Sequence, residues 1–125
     1  TEIVRNVVFD KASGVFQGQI RVAPDAQKTD ARMACNTLLL SEEADFSTKP
    51  ELEIFADDVK CAHGATVGEL DRMALFYLQS RGIDAGRAKA LLTRAFVADA
   101  LARIGEDAVR GAFAADADRW LDTAR

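Results

Sequence analysis

The sequence is short of the residues that most site chemistry needs. It holds one His, two Cys, two Pro, one Trp and one Tyr. No second His exists to complete a metal site beside His63 or to supply a general base. Two cysteines, Cys35 and Cys61, are too few for a disulfide framework, and a reducing cytoplasm is the expected compartment. No apolar run approaches the ~20 residues that span a bilayer, so no membrane partner is expected. No basic-then-apolar leader is visible, and no initiator Met. The chain opens directly into strand-like residues, so a piece of something longer is expected.

What is present is enough for a packed domain. Hydrophobic residues make up 49% and charged residues 29% of the 125, which places the chain among globular proteins rather than disordered ones. The net charge of −4 is unevenly spread. Residues 1–66 carry seven Lys/Arg against eleven Asp/Glu, whereas residues 67–125 carry nine of each. Eight of those nine basic residues are Arg at scattered spacing, with no basic stripe, so nucleic acid is not an expected partner.

The first half reads as strands. Ile3 to Phe9 is rich in β-branched residues. Val15 to Val22 alternates, with Phe16, Gly18, Ile20 and Val22 on one face. Gln27 to Asn36 fits a short helix, a loop or a short strand. Thr37 to Leu40 reads as a strand buried on both faces. Phe46 to Lys49 is expected to be a short extended piece that stops at Pro50, and Leu52 to Ala56 alternates again. Asn-Gly and Asp-Gly hairpin signals are absent. Short strands with polar corners fit a sandwich or a β-solenoid, and the pattern does not choose between them.

The second half is helical. Leu70, Met73, Ala74, Tyr77 and Leu78 form one apolar stripe, closed by Gly82. Asp84 is placed to cap a second helix, with Ala88, Leu91, Leu92, Ala95, Phe96 and Leu101 as its stripe and Gly105 as its end. A third helix is expected from about Asp107 to Ala124, with Val109, Phe113, Trp120 and Leu121 on its apolar side. Thirteen of the residues from Gly82 onward are Ala, which favours helix and close helix packing.

Between the halves lies Asp57 to Leu70, DDVKCAHGATVGEL. In extended chain, Val59, Cys61, His63, Ala65 and Val67 share one face. The Cys61 and His63 α-carbons then lie about 7 Å apart. A thiolate and an imidazole so placed can reach one soft or borderline metal ion, but two side chains do not complete its coordination. The plainer reading of both is an inward core thiol and a hydrogen-bonded ring.

KCAHGATVGELD, followed by ALFYLQSRGI, resembles the C-terminal part of the SufB/SufD family of iron–sulfur cluster assembly proteins. The likeness extends upstream through KTDA (Lys28 to Ala31), LLLS (Leu38 to Ser41) and TKPELEIFADDVKC (Thr48 to Cys61). The CAHGATVG string is similar to the SufD branch. The resemblance implies an α+β fold: the last coils of a right-handed parallel β-helix over residues 1–67, then an antiparallel C-terminal helical domain over 68–125. It implies a non-enzymatic scaffold that pairs with a SufB homologue through the β-helix and binds a SufC ABC-type ATPase through the helices. ATP would be hydrolysed by that partner; this sequence has no Gly-rich phosphate loop ending in Lys-Ser/Thr. The cofactor implied is a nascent iron–sulfur cluster shared with SufB, none being bound tightly by this stretch alone. His63 matches the family histidine at the SufB–SufD interface, and Cys61 the thiol position beside it. Cys35, in CNTLLLS, resembles the cysteine-containing segment of SufB.

Two other classes of function stand beside this one. One is a small metal-dependent enzyme using Cys61 and His63; the other is a purely structural interaction domain. Tyr77, Arg81 and Trp120 are the residue types favoured at docking hot spots, although Tyr77 and Trp120 also fall on the apolar stripes. A β-helix opened at its N-terminal end would expose strand edges, so a homodimer is expected in isolation.

Overall fold

The computed structural model describes residues 1–123. Five strands come first: β1 (Glu2–Val8), β2 (Ser13–Val22), β3 (Asp30–Leu39), β4 (Asp45–Ile54) and β5 (Lys60–Gly68). Three helices follow: α1 (Arg72–Ser80), α2 (Ala85–Leu101) and α3 (Asp107–Thr123). The expected end of the third helix at Ala124 lies outside the described residues. The chain divides into two compact units, Thr1–Gly68 and Glu69–Arg125.

In the strand unit the chain alternates between two sheets. One has the order β1-β3-β5 and the other β2-β4, and all pairings are parallel. Glu2 pairs with Met33, Ser13 with Asp45 and Asp30 with Lys60, offsets of 31, 32 and 30 residues. Parallel neighbours cannot be joined by a tight hairpin. Here each crossover is filled by a strand of the other sheet, which is why the sequence has corners and no Asn-Gly turns. The corners stack on one another. Lys28 N–H donates to Asp58 O at 2.6 Å, Lys60 N–H to Thr29 O at 2.8 Å, and Asp58 N–H to Gln27 Oε1 at 2.9 Å. Ser41 Oγ donates to Asp10 O at 2.6 Å one circuit away.

One open reading is decided and one expectation is corrected. The ambiguous stretch from Gln27 to Asn36 enters β3, because Asp30–Leu39 is paired on both sides and sheet pairing overrides the weak local preference of Asp30 and Asn36. Strand β4 also does not stop at Pro50. It runs Asp45–Ile54 and pairs with β2 alone, and an edge strand tolerates a proline.

The core between the sheets is small. Val8, Val22, Met33 and Cys35 are buried in it. Gly18 leaves room for two larger side chains: a Cβ there would stand 2.8 Å from Phe16 Cζ and 2.9 Å from Met33 Sδ.

In the helical unit the ends are set by side chains. Asp71 caps α1, accepting from Met73 N–H at 2.7 Å and Ala74 N–H at 3.3 Å. Gly82, at φ 84°, ends it, and Ile83 N–H donates to Leu78 O at 3.2 Å. Asp84 caps α2 through Arg87 N–H at 3.0 Å. That helix closes at Leu101, four residues before the expected Gly105. Arg94 on α2 forks to Asp118 and Asp122 on α3 at 2.8 and 2.6 Å. The hydrogen bond from Asp118, with the charge of Asp122 behind it and against a desolvation penalty, raises the Arg94 pKa above its ordinary value.

The stripe of α2 is mostly covered, at Ala88, Leu92, Phe96 and Leu101, whereas those of α1 and α3 are covered only in part. On α1, Ala74, Leu75 and Leu78 are half-buried while Met73 is 72% and Tyr77 57% exposed. On α3, Arg110, Ala114, Ala117 and Leu121 are half-buried, and Val109, Phe113 and Trp120 are exposed. The half-buried side of α3 is thus lined by alanines, Arg110 and Leu121, and its large aromatic side chains are left outside. Ala88 and Thr93 on α2 are the fully buried residues of the described helices.

Candidate functional site

Strand β5 carries the candidate pair. Its register sets Cys61 beside Ala31, His63 beside Met33, and Ala65 beside Cys35. Paired residues of parallel strands point to the same face. Met33 and Cys35 are buried, so the face shared by Cys61 and His63 is the inner one. The sheet ends at β5, however, and no further strand covers it among the described residues. Cys61 is therefore half-buried and His63 exposed, although both project from the core-facing side. The structure thus brings the two together, two residues apart on one face at an open sheet edge. No hydrogen-bond partner holds the His63 ring among the described residues.

Cys35 lies on the same inner face but away from the open edge that carries the pair. It sits one strand inward, two rows along from His63 and four from Cys61, about 8 Å and about 14 Å away by ordinary sheet spacings. It is 0% exposed. Its sulfur accepts from Asn6 Nδ2 at 3.5 Å, and the same amide nitrogen donates to Thr37 Oγ1 at 3.1 Å. No group of three or more His, Cys, Asp and Glu able to hold a metal occurs among the described residues.

Sequence reasoning missed the polar ladder on the reverse face of this sheet. Arg5 Nη1 donates to Asn36 Oδ1 at 2.7 Å, and Asn36 Nδ2 donates to Thr66 Oγ1 at 2.6 Å. The three residues are register partners on β1, β3 and β5. Writing the sequence in rows of about 31 would have aligned them. Of the residues suggested for docking, Tyr77 carries the Arg81 guanidinium 5.1 Å from its ring centre, and Trp120 is exposed. No described helix is long and apolar enough to cross a membrane.

Residues 1–96 match the family described as SUF system FeS cluster assembly, SufBD core domain. The iron–sulfur cluster assembly protein SufD of Escherichia coli is 49% identical over 98 residues, 78% of this chain and 23% of that protein. An iron–sulfur cluster assembly SufBD family protein of Synechocystis is 42% identical over 105 residues, 84% of this chain and 23% of its own length. The chloroplastic protein ABCI7 of Arabidopsis thaliana is 38% identical over 83% of this chain and 22% of its own. The chain spans less than a quarter of the length of these curated relatives. It belongs to the SufB/SufD family of the SUF iron–sulfur cluster assembly system.

Proposed function

We propose that this chain is a non-enzymatic scaffold element of a SUF assembly complex, and that Cys61 and His63 form half of a site for a nascent iron–sulfur cluster. The cluster is cargo, shared with a SufB-type subunit that supplies the remaining ligands. The observation that carries this reading is the placement of the pair. A thiol and an imidazole share one face of an edge strand, and the imidazole is open to solvent. Two protein ligands are half of the four that ordinarily hold a cluster, and a partner polypeptide would supply the rest. Cys35, buried and one strand inward, takes a secondary place.

On this reading the two alternating sheets are the last coils of a right-handed parallel β-helix, residues 1–67. Residues 68–125 form the helical domain that docks a SufC-type ATPase, in a cytoplasmic complex. Support for docking comes from the large apolar side chains left outside α1 and α3. Co-expression with SufB and SufC homologues tests the site. His63→Ala should leave the complex assembled but abolish cluster maturation, read by the visible absorption of the purified complex. Unchanged maturation would refute the site and leave a purely structural interaction domain as the better reading.

A further inference from the structure

Strand β5 has little in its own sequence to fix its register. It offers Ala62, Gly64, Ala65 and Gly68, which have little or no side chain to hold a row. At Gly64 and Gly68 nothing lies within 4 Å of where a Cβ would stand. Small-residue edge strands are the kind that slip, and a slip of one residue turns every side chain to the other face. Cys61 and His63 would then leave the inner face. A slip of two keeps the faces but re-forms an evenly spaced parallel ladder in the wrong row. The stacked corner pins the start of the strand, through Lys60 N–H to Thr29 O at 2.8 Å. Beyond it, the backbone alone does not distinguish the native row from a bulged one.

We propose that the hydrogen bond between Asn36 and Thr66 is the register lock of β5, which makes both positioning residues for the Cys61–His63 pair. The inference rests on the reading of that pair given above. Arg5 sets the lock. A guanidinium has only N–H groups to give, so its 2.7 Å bond takes Asn36 Oδ1 and turns Nδ2 toward β5. Nδ2 then needs an acceptor, and Thr66 Oγ1 meets it at 2.6 Å. Between Ala62 and Gly68, Thr66 is the one side chain besides His63 that can accept. A slip of one residue would put Ala65 or Val67 opposite Asn36, and a slip of two would put Gly64 or Gly68 there. None of the four has a polar side chain. Only the native row gives the amide a side-chain partner on β5, and His63 sits between this bond and the corner, pinned from both sides.

The test reads register directly. Cys35 faces Ala65, and neighbouring parallel strands bring α-carbons within disulfide range. In the full chain carrying A65C, oxidation should therefore trap a bridge to Cys35 in the native row. Adding Thr66→Val, which keeps size and strand preference but removes the hydroxyl, should lower the native-to-slipped ratio about five-fold, the equilibrium weight of one ordinary hydrogen bond, and the bridging rate should fall with the native population. Thr66→Ser should restore it. Asn36→Leu attacks the same bond from the other strand and should act alike, so misfolding of one variant leaves the other to decide. A bridging rate unmoved by Thr66→Val or by Asn36→Leu overturns the lock. Cobalt(II) titration of the chain without A65C separates the two readings. A thiolate–cobalt band that Thr66→Val weakens and Thr66→Ser restores supports positioning of the pair. A band that survives Cys61→Ala and His63→Ala together refutes the pair as ligands, whatever the bridge shows.

Discussion

Two glycines on two strands of the same unit should respond to alanine in opposite directions. Gly18 looks into the space between the sheets. An added Cβ would stand 2.8 Å from Phe16 Cζ, 2.9 Å from Met33 Sδ and 3.0 Å from Met33 Cε. Met33 is 2% exposed, so its end has no solvent to move into. Overpacking of this kind costs about 1–3 kcal/mol. The restricted unfolded chain returns about 0.4–1 kcal/mol of that, so Gly18→Ala should destabilise by about 1–2 kcal/mol. Gly64 has nothing within 4 Å, and its φ is not positive. There the unfolded-state gain stands alone, and Gly64→Ala should stabilise by about 0.4–1 kcal/mol. The gap between the variants, about 2 kcal/mol, corresponds to urea midpoints roughly 1 M apart for a slope near 2 kcal/mol per molar. Far-UV circular dichroism at strand wavelengths is the suitable probe, because the lone Trp120 reports on the helical unit. Because Met33 is the register partner of His63, Gly18→Ala should also shift the His63 ring resonances. Equal midpoints for the two variants, or a Gly18→Ala chain more stable than the parent, would refute the packing between the sheets described above.

The two thiols should separate by reactivity. In native conditions a disulfide reagent should modify the half-buried Cys61 and spare the fully buried Cys35, with the second thiol appearing only on unfolding; two equally fast thiols would contradict the placement of Cys35. On α3, Val109→Gln with Phe113→Gln should leave stability within about 0.5 kcal/mol of the parent for each change, since both side chains are exposed. A large loss in the urea transition followed by Trp120 fluorescence would show that this side is a core face after all.

Which parts of this molecule can be read from its residues follows from the range of the forces involved. The caps and stops of the helices are local, and Asp84 and Gly82 declare them through one carboxylate and one positive φ. The shared face of Cys61 and His63 follows from period two alone. Register was not legible, because Arg5, Asn36 and Thr66 lie some 30 residues apart and no short window contains two of them. For the same reason Gln27–Asn36 stayed open between helix, loop and strand: the partners that decide it are supplied by β1 and β5. The stripes of α1 and α3 misled for a different reason. Periodicity names the apolar side of a helix, but α3 packs through Ala114 and Ala117 and leaves Phe113 outside. The resemblance to the SufB/SufD family supplied what pattern could not, and the parallel pairing between alternating sheets is consistent with it.

The near-constant offset between paired strands makes length a quantised property of this wall. Adding or removing one whole lap of chain leaves every remaining neighbour with the neighbour it had, because stability in such stacks is summed over adjacent layers. Removing half a lap would instead set a strand of one sheet among the strands of the other. Tolerated indels should therefore come in two sizes: a few residues at the corners, or a complete turn.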